Sequence, residues 1–208
     1  IREHPDLEGL NCTIPYKEAI IPYLDNITPE AREIGAVNVV KIQRDGSHAG
    51  GHSMDGIRLT GFNSDIIGFT GSIAPLLKPH HRKALILGTG GAAKAINVGL
   101  KKLGLECTYV SRKGSEGRLA YTEITPQTLQ EHHVIVNCSP VGMYPHTEEV
   151  PSLPYEAISP NHLLYDLIYN PQTTLFLQKG AQQGATVKNG QEMLELQAIA
   201  GWNFWTSE

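Results

Sequence analysis

From Ala84 to Ala93 the chain reads Ala-Leu-Ile-Leu-Gly-Thr-Gly-Gly-Ala-Ala. Gly88, Thr89, Gly90, Gly91, Ala92 and Ala93 fit the pattern G-x-G-x-x-A. The first glycine permits a tight turn, the second lets the backbone approach a pyrophosphate, and the small Ala93 lets a helix pack closely on a strand. Backbone N–H groups at the helix start then face the phosphates. This is dinucleotide-binding chemistry, although the same run can serve as a strand–helix turn without a ligand. An acid about twenty residues further on would bind a ribose 2′-hydroxyl. Here that place holds Ser111-Arg112-Lys113, and no acid follows until Glu116. Two cations and a hydroxyl suit a 2′-phosphate, which an arginine grips bidentately. NADP is therefore expected over NAD.

The other chemically capable residues are scattered, and each has a plain structural use. Lys17 falls in the first turn of a short helix, where the dipole disfavours a cation, yet an isolated lysine is usually solvated. Asp65 follows Asn63-Ser64 at a strand-to-helix junction and, taken alone, reads as a helix N-cap. Asn38 is a polar residue inside the apolar run Val37–Val40, so it meets a partner or faces a cleft. Tyr169 and Asn170 follow the apolar run 163–168, at the carboxyl end of a strand, where α/β sheets bind ligands. Gln197 is an amide on an otherwise apolar helical stripe. The pairs His48/His52 and His80/His81 lie in loops and lack helical i, i+4 geometry. No metal site is expected.

Residues of this kind act only if elements bring them together. Alternating strand and helix patterns favour α/β architecture. A buried strand at 84–87, a helix with Ala95, Ile96, Val98, Gly99, Leu100 and Leu103 at helical spacing, and a strand at 107–110 form one strand–loop–helix–strand unit. Further buried strands are expected at 133–137 and 163–168. Earlier in the chain, Thr13-Ile14-Pro15 and Thr28-Pro29-Glu30 both read as helix starts, with Thr13 and Thr28 as N-caps. Residues 35–40 and 57–62 are strand-like, and Asp45-Gly46 marks a turn. Gly50-Gly51 and Asp55-Gly56 suggest a flexible or tight connection; residues 47–55 look like an insertion. Gly68, Gly71 and the Pro75–Pro79 stretch are placed at a boundary between two lobes. From 189 to 205 the pattern is helical, with Met193, Gln197, Ala200 and Phe204 on one face.

Composition bounds the reading. The 208 residues hold 17 Lys and Arg against 21 Asp and Glu, a net charge of −4, with pI about 6.1. No broad basic face for nucleic acid is implied. The mean hydropathy of −0.21 and the lack of an apolar run near twenty residues exclude a transmembrane helix. Cys12, Cys107 and Cys138 are odd in number and far apart. That argues against a disulfide framework and for a reducing, cytoplasmic setting.

The motifs occur in a recognisable order. Asn11-Cys12-Thr13-Ile14-Pro15-Tyr16-Lys17, Gly35-Ala36-Val37-Asn38, Gly61-Phe62-Asn63-Ser64-Asp65 and Gly88-Thr89-Gly90-Gly91-Ala92 come first. Asn137-Cys138-Ser139-Pro140-Val141-Gly142-Met143, Tyr165 to Pro171 and Asn189-Gly190-Gln191-Glu192-Met193-Leu194 follow. From about residue 9 to its end the chain resembles the shikimate dehydrogenase family. The resemblance implies a two-lobed enzyme interconverting shikimate and 3-dehydroshikimate with NADP. It implies Lys17 as the catalytic acid/base, Asp65 as its partner, and Asn38, Tyr169, Gln197 and Thr13 as substrate contacts. It implies cofactor contacts at Gly88, Thr89, Gly90, Gly91 and Ala92, at Ser111, Arg112 and Lys113, and at Leu167, Gly190 and Met193.

The expected fold is a Rossmann-type parallel sheet domain over residues 69–188, a smaller α/β substrate-binding lobe over 1–68, and a C-terminal helix, 189–208, returning to the smaller lobe. The family's opening segment, with a Ser-x-Ser pair for the substrate carboxylate, has no match before the lysine motif, so the small lobe is expected to be N-terminally incomplete. The family often has Asn-Arg-Thr where this chain has Ser111-Arg112-Lys113, and the arginine is kept. Two alternatives stay open: a quinate/shikimate dehydrogenase using NAD, and a silent nucleotide-binding paralogue or fragment. The expected partner is a small-molecule substrate, with no nucleic acid and no membrane, for a monomer or homodimer.

Overall fold

The computed structural model describes residues 1–44 and 56–207. Asp45-Gly46, His48, His52, Gly50-Gly51, Asp55 and the whole 47–55 stretch lie outside the described residues. The smaller sheet region comprises β1 (Gly9–Asn11), α1 (Tyr16–Ala19), β2 (Asn26–Ile27), α2 (Pro29–Ile34), β3 (Val39–Arg44) and β4 (Ile57–Phe62). Its four strands run in the order β1-β3-β4-β2, with β2 parallel to β4 and the other pairs antiparallel. Thr28 caps α2 as expected, its Oγ1 accepting from the Ala31 N–H at 3.3 Å. Gly35 ends that helix in the left-handed conformation (φ 71°), which only glycine adopts freely. The strand therefore begins at Val39, later than the expected residue 35, and Asn38 sits just before it. Thr13 does not cap α1: Pro15 holds the cap position, and the Thr13 carbonyl instead accepts from Tyr16 at 2.7 Å.

α3 (Asp65–Ile73) leads from the smaller sheet to the larger one. Gly68 and Gly71, placed by sequence at a lobe boundary, lie inside this helix. Their role is close packing, because a Cβ at Gly68 would stand 2.5 Å from the Met193 carbonyl oxygen.

The larger region follows as β5 (Lys83–Leu87), α4 (Gly91–Lys102), β6 (Glu106–Ser111), β7 (Arg118–Ala120), α5 (Pro126–Glu131), β8 (Val134–Asn137), β9 (Leu163–Asp166), α6 (Leu175–Gln182), β10 (Thr186–Lys188) and α7 (Gln191–Thr206). Its six strands are all parallel, in the order β10-β9-β8-β5-β6-β7. Counted from β5, this is the 3-2-1-4-5-6 winding, with a crevice where the order reverses between β5 and β8. β5 is apolar on both sides because both of its faces are covered. Ala84 and Ile86 join a core with Phe69, Ile96, Leu100 and Met193. Leu85 and Leu87 face the opposite core with Leu129, Phe176 and Leu177.

α7 lies along α3 and reaches the smaller sheet. Phe204 stacks on Phe62, ring centroids 4.5 Å apart, and Trp205 Nε1 donates to the Val40 carbonyl at 3.0 Å. No helix among the described residues is long and apolar enough to cross a membrane.

Candidate active site

Lys17 is the second residue of the four-residue α1. Its carbonyl accepts from the Val37 N–H at 2.7 Å, which ties this single turn to the segment before β3. Its Nζ donates to Asp65 Oδ2 at 2.6 Å, and the two side chains are only 13 % and 3 % exposed. Asp65 is not the N-cap of α3. Ser64 holds that position without a side-chain cap bond, and Asp65 is the first helical residue. Its carboxylate is thereby free to serve the cleft. Asn38 Nδ2 donates to the other oxygen, Oδ1, at 2.9 Å. The Asn38 amide is itself gripped by Ser64, whose backbone N–H donates to Oδ1 at 2.8 Å and whose Oγ accepts from Nδ2 at 3.0 Å. Gln197 on α7 brings Oε1 to 3.2 Å from the same Nδ2. Sequence-predicted Lys17, Asp65, Asn38 and Gln197 thus form one hydrogen-bonded group drawn from four parts of the chain.

The glycine loop meets this group. A Cβ at Gly91 would stand 3.1 Å from Lys17 Cβ and 3.5 Å from Ala36 Cβ, so the start of α4 abuts the lysine's own helix. Lys94 Nζ pairs with Glu18 Oε2 at 2.6 Å, and Lys102 with Glu30 at 2.9 Å and Glu33 at 3.5 Å, across the same junction. Gly88 has φ 117°, and a Cβ there would also crowd the Cys138 backbone at 3.2 Å. Gly90 caps α4 without any side-chain bond, and a Cβ on it would meet nothing within 4 Å. Open space beside uncapped helix N–H groups fits a pyrophosphate. Ser111 ends β6 and donates to the Lys113 carbonyl at 2.5 Å. Arg112 and Lys113 are exposed and make no ion pair among the described residues. That arrangement fits an adenosine 2′-phosphate.

The remaining sequence-predicted residues stand apart from the lysine group. Gly190 is buried where α7 begins and leaves no room for a side chain against the Leu167 carbonyl. Leu167 is half-buried against the core that contains Met193. Tyr169 is 48 % exposed beyond the end of β9, and Thr13 is exposed before α1. Neither side chain hydrogen-bonds to the Lys17–Asp65–Asn38 group among the described residues.

Sequence reasoning missed Ser64 and a second polar knot at the carboxyl edge of the sheet. Asn137 Nδ2 donates to Asp166 Oδ1 at 3.0 Å, and Thr174 Oγ1 to Oδ2 at 2.6 Å. Burial pushes the Asp166 carboxyl up to about 6 despite these donors. The signal was a polar residue at the end of each apolar run. His146, Glu148 and Glu149 bring possible ligand atoms within 4.8 Å of one another, but all three are exposed. Exposed acids gather this way without an ion.

A doubly wound sheet with a dinucleotide-type glycine loop, set against a lysine–aspartate pair held by two helices beside a second sheet, defines a nucleotide-dependent dehydrogenase. The model of the shikimate dehydrogenase substrate binding domain matches residues 1–40. The chain is 31 % identical over 221 residues to the NADP(+) shikimate dehydrogenase of Desulforamulus reducens, covering 97 % of this chain and 72 % of that one. It is 34 % identical over 216 residues to the enzyme of the same description from Carboxydothermus hydrogenoformans, covering 97 % and 73 %. The structure of shikimate 5-dehydrogenase from Thermus thermophilus in complex with NADP(H) and shikimate superposes with a TM-score of 0.80 at 31 % identity, over 99 % of this chain and 75 % of that one. A quinate dehydrogenase from Corynebacterium glutamicum, solved with NAD, gives 0.80 at 24 % identity over 98 % and 74 %, and shares the fold. The chain belongs to the shikimate dehydrogenase family.

Proposed function

We infer that this chain catalyses the reversible, NADP-dependent reduction of 3-dehydroshikimate to shikimate. The observation that carries this reading is the Lys17–Asp65 pair at 2.6 Å, its carboxylate buried and its lysine partly so, pressed against the glycine loop at Gly91. Residues 1–68 act as the substrate lobe, 69–188 as the NADP lobe, and 189–208 as the helix that carries Gln197 back to the substrate. The loop 88–92 and the Ser111–Lys113 corner hold the dinucleotide, which supplies the hydride when bound. Lys17 Nζ holds the proton that the substrate oxygen takes up as its carbon is reduced, and takes it back in the reverse direction. Its positive charge also stabilises the developing alkoxide. Asp65 aims Nζ through Oδ2, and Asn38 fixes the carboxylate through Oδ1. Thr13 and Tyr169 are assigned to substrate, and Leu167, Gly190 and Met193 to the dinucleotide. The three free thiols suit a reducing, cytoplasmic setting.

The NAD-using quinate branch is disfavoured by the absence of an acid at Ser111–Lys113. The test is the initial rate of shikimate-dependent NADP⁺ reduction by the purified chain, with NAD⁺ and quinate run in parallel. Turnover selective for NADP⁺ and shikimate is expected. A preference for NAD⁺ and quinate would move the chain to that branch. No turnover alongside intact NADPH binding would reduce it to a nucleotide-binding relative.

A further inference from the structure

We propose that Arg118 is a second residue that selects for the adenosine 2′-phosphate, acting beside Arg112. The proposal rests on the NADP reading above, and it begins from a short connection. Neighbouring parallel strands are ordinarily joined by a dozen or more residues, usually including a helix. β6 and β7 are parallel neighbours, yet only residues 112–117 join them. The connection carries no helix to lay over these two strands. It closes on itself instead. The Ser115 N–H donates to the Arg118 carbonyl at 3.1 Å, and the Arg118 N–H to the Ser115 carbonyl at 2.9 Å. Gly117, at φ 74°, supplies the left-handed residue between them.

The register fixes where Arg118 stands. It lies opposite Tyr109, and Ala120, two residues on, lies opposite Ser111. Side chains alternate along a strand, so Tyr109, Ser111 and Arg118 share one face of the sheet. That face is the α4 side, because the Tyr109 hydroxyl donates to the Ala93 carbonyl, in the first turn of α4, at 3.5 Å. With strands about 4.8 Å apart and about 3.3 Å per residue, the Arg118 Cα stands about 8 Å from that of Ser111. An extended arginine covers that span. Its guanidinium now rests over the Tyr109 ring, Cζ 5.9 Å from the centroid. It is exposed, and its N–H donors make no hydrogen bond or ion pair to protein among the described residues. A cation with unused donors therefore stands between the start of the phosphate-binding helix and the Ser111–Lys113 corner. A phosphate monoester carries about −1.5 to −2 charges at pH 7, more than Arg112 alone offsets. The acids nearby are Glu116, in the connection itself, and Glu123, whose Oε2 accepts from the Ala120 N–H at 2.5 Å. Arg112, Lys113 and Arg118 outnumber them.

Adenosine 2′,5′-bisphosphate and 5′-AMP differ only in the 2′-phosphate, and calorimetry reads both without turnover. Arg118→Ala should weaken the bisphosphate about tenfold and 5′-AMP less than about twofold. Arg118→Lys keeps the charge but not the fork, and should lose about threefold for the bisphosphate. In an Arg112→Ala background, Arg118→Ala should remove most of the preference for the bisphosphate that remains. Equal losses for both probes would make Arg118 a support for adenosine and overturn the proposal. An unchanged preference in Arg118→Ala would overturn it too, whether or not thermal stability falls, since the residue would then only pack on Tyr109. Wild-type protein that binds the two probes equally would instead sink the NADP reading, and the proposal with it.

Discussion

Lys17 owes its placement to Asp65 and the Val37 N–H rather than to its own helix. α1 is a single turn with no buried residue and no side-chain cap, too short to hold a side chain rigidly. The buried carboxylate fixes Nζ instead. Lys17→Ala should lower kcat about 10²- to 10⁴-fold, the usual worth of a positioned acid/base. NADPH affinity, measured by fluorescence titration, should stay within about twofold, because no phosphate contact is lost; unchanged turnover would remove Lys17 from the chemistry. Arg112 makes the opposite case. It is exposed and makes no ion pair among the described residues, so its loss costs the fold little. Arg112→Ala should weaken NADPH at least about tenfold more than NADH, a difference set by one bidentate phosphate contact. Equal losses for both would mean that Arg112 does not read the 2′-phosphate.

Among the elements, α3 does the most to assemble the site: it starts with Ser64 and Asp65 and packs along α7, which carries Gln197. Gly68 sets their spacing. A Cβ there would stand 2.5 Å from the Met193 carbonyl and 3.0 Å from Gln197 Cβ. Gly68→Ala gains about 1 kcal/mol in helix propensity but overpacks against backbone, which costs about 1–3 kcal/mol. The steric cost wins because a carbonyl cannot rotate aside. Urea unfolding should show a net loss of up to about 2 kcal/mol, and KM for shikimate should rise as Gln197 is pushed away; a gain in stability would show that the helices part freely. Gly68 also marks where sequence reading stops. A glycine inside a helix looks like a break, and only the approach of a helix 125 residues later reveals it as a contact. The β5–α4–β6 unit was legible because its signals are local: an apolar strand, three glycines and a helical stripe. β1, β2, β7 and β10 escaped notice because they are two or three residues long, sit at sheet edges, and carry no alternation. Lys17, Asp65, Asn38 and Gln197 were each visible as residue types out of place. Ser64 was not, since its partner Asn38 lies 26 residues away and serine before a helix ordinarily means a cap.

Across the whole molecule, the parallel sheet has two chemically different ends. Its carboxyl end carries the glycine loop, Asn137 and Asp166, while its amino end is closed by histidines. Lys78-Pro79-His80-His81 precedes β5, and Ser159-Pro160-Asn161-His162 precedes β9. In each turn the fourth residue's ring Nδ1 accepts the first residue's N–H, at 3.0 Å from Lys78 and 3.1 Å from Ser159. The opposite nitrogens donate to carbonyls, His81 Nε2 to Asn161 at 3.1 Å and His162 Nε2 to Leu129 at 2.9 Å. Both rings are therefore locked in one neutral tautomer, and a proton on Nδ1 would face an N–H donor. Burial lowers both pKa values, and His80 and His133 press the same way on both, with Lys78 adding to the effect on His81, against the raising effect of the backbone bonds. The Lys83–Glu131 pair lies at the same end of the sheet, at 3.8 Å. A histidine with a depressed folded pKa binds more protons when unfolded, so its contribution to stability is lost as pH falls from about 6.5. Asp166 acts in the other sense. Its folded pKa is raised to about 6, so its contribution is present in acid and lost as pH rises through that value. Over pH 7.5 to 5, urea midpoints should therefore shift further toward instability for Asp166→Asn than for the wild type, because the substitution removes the opposing group. His162→Asn keeps an acceptor for the Ser159 N–H but cannot titrate. It should start about 1 kcal/mol lower for the lost Leu129 bond and then show a shallower acid slope. A slope in His162→Asn as steep as the wild type's would place the acid sensitivity elsewhere than in these turns.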